Sequence, residues 1–125
     1  MILLAGTDDA EKTRLATILR EGSLEALVPK TLEEAALAVR DKPLKLVLLC
    51  LQTADEPALA QLKLLDEKRA ERSLTITLVG DEFPDAFISK AVKLGADLEM
   101  RRRKGADYVL AQVEAKSRLV RKPPG

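Results

Sequence analysis

Few side chains in this chain can do covalent or metal chemistry, and most of them stand directly after short apolar runs. The only cysteine, Cys50, ends the apolar part of KLVLLCLQ, residues 45–52. Two acids, Asp8 and Asp9, close the stretch ILLAGTDD, residues 2–9. Four cations, Arg101, Arg102, Arg103 and Lys104, follow the run at 97–100. A thiol becomes reactive when neighbouring cations lower its pKa. Carboxylates hold hard divalent ions. Clustered arginines grip anions or dock on acidic surfaces. The sequence has no histidine, so it contains no Ser-His-Asp triad, Cys-His dyad or His-ligated metal site.

The elements that must position these residues are legible in the pattern. Five short apolar segments, at 2–5, 24–28, 44–51, 74–79 and 97–100, read as strands; the third and fourth are nearly continuous in Leu, Val, Ile and Thr. Such runs suit parallel strands covered on both faces. Helical patterns separate them. Asp8 and Glu11 have capping-box spacing before the stripe Leu15, Ile18 and Leu19, and Thr31 and Glu34 repeat that spacing before Leu32, Ala35, Ala36 and Val39. A third helix starts near Asp55-Glu56-Pro57, with Leu59, Leu62 and Leu65 on its stripe. A fourth starts near Pro84, buries Phe83, Phe87, Ala91 and Leu94, and stops at Gly95. A fifth is expected over 105–121, with Ala106, Val109, Leu110, Val113, Ser117 and Val120 on one side. Arg40, Lys90, Lys93, Arg118 and Arg121 sit near helix ends, where the carbonyl pole favours cations.

Alternating β and α elements call for right-handed crossovers and a parallel sheet. The expected fold is α/β: a three-layer, doubly wound, flavodoxin-like five-stranded sheet of order 2-1-3-4-5. Ligands of such sheets sit at the carboxyl ends of the strands. That edge would gather Gly6-Thr7-Asp8, Cys50-Leu51-Gln52, Gly80-Asp81 and the four cations at 101–104.

Composition narrows the classes further. The 125 residues suffice for one domain, expected at 1–121 with a tail or linker at 122–125. With 21 basic and 20 acidic residues the formal charge is +1, which argues against broad adhesion to nucleic acid or anionic membrane. A lone cysteine forms no internal disulfide, and the run at 2–5 is too short for a signal peptide or membrane span, so a cytoplasmic location is expected.

Over nearly its whole length the chain resembles a bacterial response-regulator receiver domain. The carrying stretches are ILLAGTDD, Gly22 after helix one, TLEEAALAV, KLVLLCL, TITLVGDE and KLGADLEM, the last similar to the family's GAD turn. The resemblance implies an aspartate phosphoacceptor after strand three, two acids holding magnesium after strand one, a hydroxyl after strand four and a lysine after strand five. In this sequence those positions fall on Cys50, on Gly6 and Thr7 with Asp8 as the remaining acid, on Gly80, and on Arg102. Ala54 and Ala58 stand where the family carries proline and glycine after the acceptor. Glycine and threonine are poor magnesium ligands, and a thiol is soft. Phosphoryl transfer relies on electrostatic stabilisation, so losing metal and nucleophile together should remove the activity.

The expectation is therefore a degenerate receiver: a non-enzymatic, phosphorylation-independent signalling domain, without metal or cofactor, that works through protein contact. In a larger regulator it would be the N-terminal regulatory part. Its contact face, by resemblance, is helix four, strand five and helix five, carrying Lys90, Lys93, Arg101, Arg103, Tyr108, Gln112 and Lys116, with another protein or a second copy of the chain as partner. Neither nucleic acid nor membrane is expected there. Other readings stay open. Cys50 reads as a buried core residue or as a redox thiol; Asp8 and Asp9 read as helix caps or a weak metal site. The run at 101–104 reads as a solvated loop matched by acids, as a docking patch, or as part of an anion pocket with Thr7 and Gly80. A sensor of an anionic small molecule in the former acceptor pocket is the alternative function, and residual autophosphorylation on Asp8 or another acid is a third.

Overall fold

The computed structural model describes residues 1–119. The strands are β1 (Ile2–Gly6), β2 (Ala26–Leu27), β3 (Leu46–Cys50), β4 (Thr75–Gly80) and β5 (Leu98–Arg101), and the helices α1 (Asp9–Glu21), α2 (Leu32–Asp41), α3 (Glu56–Arg69), α4 (Asp85–Lys93) and α5 (Ala106–Ser117). All neighbouring strands pair in parallel, in the order β2-β1-β3-β4-β5. This is the doubly wound α/β architecture that the alternation of elements predicts.

Strand alternation divides the core in two. Leu3, Ala5, Val47, Leu49, Ile76 and Leu78 face α2, α3 and α4 and pack with Val39, Leu62, Leu65 and Phe87. Ile2, Leu4, Leu46, Leu48, Cys50, Val79 and Met100 face α1 and α5 and pack with Leu15, Leu19, Val109 and Val113. Both faces of β3 and β4 are buried along their whole length, hence their continuous apolar sequence.

Caps follow the sequence signals. The side chains of Asp8, Thr31 and Asp55 accept the amides of Glu11, Glu34 and Ala58 at 3.2, 3.1 and 3.1 Å. The capping box at Asp8 is only half formed, because the Glu11 carboxylate turns to Arg14 and to the Arg103 amide instead. Two elements are shorter than expected. β2 covers only Ala26–Leu27, an edge strand with a single neighbour. Helix α5 stops at Ser117, whose hydroxyl donates back to the Val113 carbonyl at 2.6 Å, so Arg118 is its cap and Leu119 lies beyond it. Ala106, expected on its apolar side, is exposed. The expected placements of Val120, Arg121 and the tail at 122–125 lie outside the described residues.

The pole of the sheet opposite the strands' carboxyl ends is fastened by a buried charge at the end of the apolar stripe of α3. Arg69, at the end of α3, is 0% exposed. It donates to Asp66 and Asp97 at 2.5 Å each, and to the carbonyls of Gly95 and Leu74 at 2.8 and 3.3 Å. Asp97 also accepts the Ile76 amide at 2.9 Å, so one guanidinium joins α3, the start of β4 and the turn before β5. Removing one partner of a buried pair leaves the other charge uncompensated, at about 3–5 kcal/mol. The side chains of Asp66 and Asp97 keep 30% and 24% exposure, which places Arg69→Ala at the low end, about 3 kcal/mol, in urea denaturation. Arg69→Met, which keeps most of the volume, should be milder.

Candidate functional site

The carboxyl edge brings together every residue that the sequence places at the acceptor site. The pairing sets Gly6 beside Cys50, Cys50 beside Val79 and Gly80 beside Arg101. Loop amides close the rim: Asp8 donates to the Cys50 carbonyl at 3.1 Å, Leu51 to Val79 at 2.9 Å and Arg102 to Gly80 at 3.0 Å. The Gln52 amide donates to the Thr7 hydroxyl at 3.3 Å.

Each position has a local physical reason. Gly6 has φ +109°, in the region that side chains disfavour, and a Cβ there would lie 2.1 Å from the Cys50 carbonyl oxygen. No acid fits on this backbone. Cys50 is 0% exposed, among Leu4, Leu15, Leu48, Val79 and Val109. Burial pushes its thiol pKa far up, and the charges of Glu11 and Asp8 push it the same way, outweighing Lys12 and Arg14. The thiol is therefore neutral and shielded, the state of a packed core residue. At Gly80 a Cβ would meet the Phe83 ring at 2.5 Å. That ring lies over the glycine and stacks on Phe87 with centroids 5.4 Å apart.

The centre of the rim is filled by Arg102. Its guanidinium donates to Asp8 at 2.9 Å and to Asp81 at 2.7 Å, with 13% of the side chain exposed. The two carboxylates hold the Arg102 pKa above its ordinary value, Asp81 first and Asp8 second; Arg102 holds that of Asp81 below its own. A second set of bonds braces the loop. Glu11, 4% exposed, takes Arg14 at 2.9 and 2.8 Å and the Arg103 amide at 3.0 Å, and Arg14 also donates to the Lys104 carbonyl at 2.6 Å. Arg103 sits at φ 62°, a conformation that its bonded amide holds.

Magnesium, which the resemblance assigns to this edge, does not suit these residues. Thr7 offers one neutral hydroxyl that already accepts an amide, and the Asp8 carboxylate is engaged by its helix cap and by Arg102. Among the described residues no three His, Cys, Asp or Glu side chains gather as a metal-holding group.

The residues expected on the contact face are dispersed along α4, β5 and α5. Arg101 meets Glu82 at 3.0 Å and Lys90 meets Glu56 at 3.7 Å, all exposed. Lys93 and Arg103 are exposed. Tyr108 is half-buried, with the Lys104 ammonium 5.8 Å from its ring centroid. Lys116 donates to Gln112 at 2.6 Å, and burial lowers its pKa. An open depression of about 330 Å³ is lined there by Phe83, Glu99, Arg101 and Tyr108. Glu11 and Arg14 are rim residues that the sequence pattern misses, and Asp81, which the sequence places at this edge, is not marked there as a partner of Arg102. Glu11 reads only as a capping residue, and the partners of Arg102 are remote in sequence.

No protein-family model matches the chain, and no curated protein matches its sequence. Solved structures do match. A CheY-like response-regulator receiver domain from Methanospirillum hungatei JF-1 is similar at 17% identity and TM-score 0.74, over 93% of this chain and 91% of that one. A two-component response regulator from Clostridium difficile is similar at 20% identity and TM-score 0.74, over 94% of each. An orphan response regulator of H. pylori is similar at 20% identity and TM-score 0.71, over 94% and 95%. The fold is that of CheY-like receiver domains. Among the described residues no helix is long and apolar enough to cross a membrane.

Three tests follow from the rim. The unfolded chain releases the Cys50 proton near its ordinary value of ~8.5, well before the folded chain does. Stability from this group is complete below about pH 8.5 and falls by up to about 1.4 kcal/mol per pH unit above it. Denaturation midpoints at pH 8 and 10 should fall more steeply in the parent than in Cys50→Ala, the difference between the two being the Cys50 contribution. Iodoacetamide should leave the folded thiol intact and modify it in denaturant. Gly6→Asp should lose at least about 2 kcal/mol, from backbone strain and overlap with the Cys50 carbonyl, and millimolar magnesium should restore none of it.

Proposed function

We propose that this chain is a receiver-like signalling domain that acts without phosphorylation, through contact with a protein partner. The carrying observation is the Arg102 guanidinium bound to both Asp8 and Asp81, in a rim whose acceptor position holds a buried thiol. A positive charge fixed between two carboxylates occupies the rim, and no carboxylate stands at the acceptor position. Phosphoryl transfer needs charge stabilisation and an acceptor, and Cys50 supplies neither.

The similarity to receiver domains supports a signalling role for the scaffold. The partner surface in this reading is the α4–β5–α5 face, with Arg101 and Arg103 projecting from its rim and Lys90, Lys93, Tyr108, Gln112 and Lys116 along its flanks. Exposed arginines on such a rim select an acidic partner by steering and register more than by raw affinity. An anion held at the acceptor position is disfavoured, because both terminal nitrogens of Arg102 are engaged and the two carboxylates would repel the newcomer.

Intact-mass measurement after incubation with acetyl phosphate and magnesium tests the first half. No phosphoryl adduct is expected, and a stoichiometric adduct would overturn the reading. For the second half, a binding partner captured by the parent protein should be lost with Arg101→Glu plus Arg103→Glu. Retained binding would remove this face from the proposal.

A further inference from the structure

We infer that the segment of this chain after Leu119, residues 120–125, docks in an open cleft between the α1–β2 turn and α5. The cleft lies at the start of β1, at the pole opposite the acceptor position. Its volume is about 760 Å³, and Met1, Ile2, Leu24, Leu110 and Val113 are among its lining. Ile2 and Val113 belong to the α1–α5 half of the core, and Leu24 and Leu110 pack at its margin. The cleft is thus a place where that half of the core meets water. Its size is within the roughly 300–1,000 Å³ of pockets for drug-sized ligands, the bulk of a few residues.

Three features select the chain's own segment as the occupant. The first is attachment. Ser117 and Arg118 line the cleft themselves, so the segment starts beside its wall. A short tether holds it at an effective concentration in the millimolar range, which a free partner of similar chemistry must exceed to compete. The second is reach. Six residues span at most ~20 Å, enough to cross the starts of β2, β1 and β3, which extend over roughly 10 Å. The third is chemistry. The sequence runs Leu119-Val120-Arg121-Lys122, two apolar residues and then two cations. Leu119 is 50% exposed, a large apolar side chain in water. The cleft offers apolar surface together with two acids, Glu25 and Glu114. Glu114 meets Arg118 at 2.5 Å, an exposed and therefore weak pair. Glu25 is exposed and meets no cation among the described residues.

These features set the docking mode. Val120 fills the apolar part beside Ile2, Leu24 and Leu110, and burial of its side chain drives the contact. Glu25 and Lys45, which also lines the cleft, flank the start of β1. The Ile2 amide donates to the Glu25 carbonyl and the Lys45 amide to that of Met1, at 2.8 Å each. Lys45 repels the segment's cations and Glu25 attracts them, so Arg121 and Lys122 lie toward β2. Pro123 and Pro124 carry no backbone N–H that docking would have to strip of water.

Methyl NMR on the whole chain tests this. NOEs should connect the Val120 methyls to those of Ile2, Leu24 and Leu110, and a mixture of two differently labelled copies should show that they arise within one chain. Val120→Asp should lower the docking constant about tenfold or more, read from the Leu24 and Leu110 methyl shifts, with those of Val92 unmoved. Glu25→Lys, at an exposed position, should weaken docking about two- to fivefold, and adding Arg121→Glu should recover it. Docking is excluded if the parent shows no such NOEs or if Val120→Asp leaves the Leu24 and Leu110 resonances in place. NOEs that arise only between copies would make the cleft a contact between two chains and overturn the inference equally. The measurements on the parent need no variant, so a substitution that unfolds the chain leaves the outcome decided.

Discussion

A guanidinium wedged between two carboxylates governs the carboxyl edge of this sheet. Arg102 reaches Asp8, which caps α1, and Asp81, which follows β4, while its own amide bonds to Gly80. Three loops from three strands thus meet on one side chain. The pair with Asp8 is largely withdrawn from water, so removing either partner leaves a charge without compensation, whereas Asp81 keeps 65% exposure and adds less. A divalent ion would do the same bridging only when present and would leave when chelated. An arginine is always charged and covalently part of the chain. The rim is therefore held closed by the polypeptide itself.

That closure agrees with what lies beneath it. Gly6 lets β1 approach β3 so closely that its missing Cβ would overlap the Cys50 carbonyl. Cys50 then points into the α1–α5 half of the core, where a small apolar thiol packs and a carboxylate would be buried near Glu11 and Asp8. Over Gly80 the Phe83 ring occupies the volume that a hydroxyl-bearing side chain would need. The residues at these positions are mutually consistent: each makes room for, or removes the need of, the next. An acid placed at one of them alone works against its neighbours.

The fold was legible because its signals are local. Near-continuous Leu, Val and Ile at β3 and β4, and the caps at Asp8, Thr31 and Asp55, report burial and chain direction within a few residues of themselves. Boundaries slipped where a long-range partner or a back-bonding side chain decides them, as at β2 and Ser117. The site was legible only as a set of positions. Arg102 is 94 residues from Asp8 and 21 from Asp81, and no periodicity encodes that meeting. Arg69 did leave a trace. Leu62, Leu65 and Arg69 follow helical spacing, so the charge lies on the buried stripe of α3, and Asp66 stands three residues before it. The deciding partner, Asp97, is 28 residues away. Phe83 reads as helix core from its apolar character, and only the geometry shows it covering Gly80.

The two arginines also explain how β5 keeps its place. It has four residues, one neighbouring strand, and only Met100 fully buried, too little apolar contact to anchor an edge. Asp97, just before it, is tied to Arg69 and to the Ile76 amide; Arg102, just after it, is tied to Asp8 and Asp81. Ion pairs at both ends fix a strand that packing alone would leave loose. The consequence reaches the α4–β5–α5 face, whose centre is this strand. A surface ordered before its partner arrives loses less conformational entropy on binding than one that must be ordered by it. A ligand shifts a conformational equilibrium only by its differential affinity for the states. With β5 pinned from both ends, a partner of the proposed kind would meet a face whose central strand is already held in place.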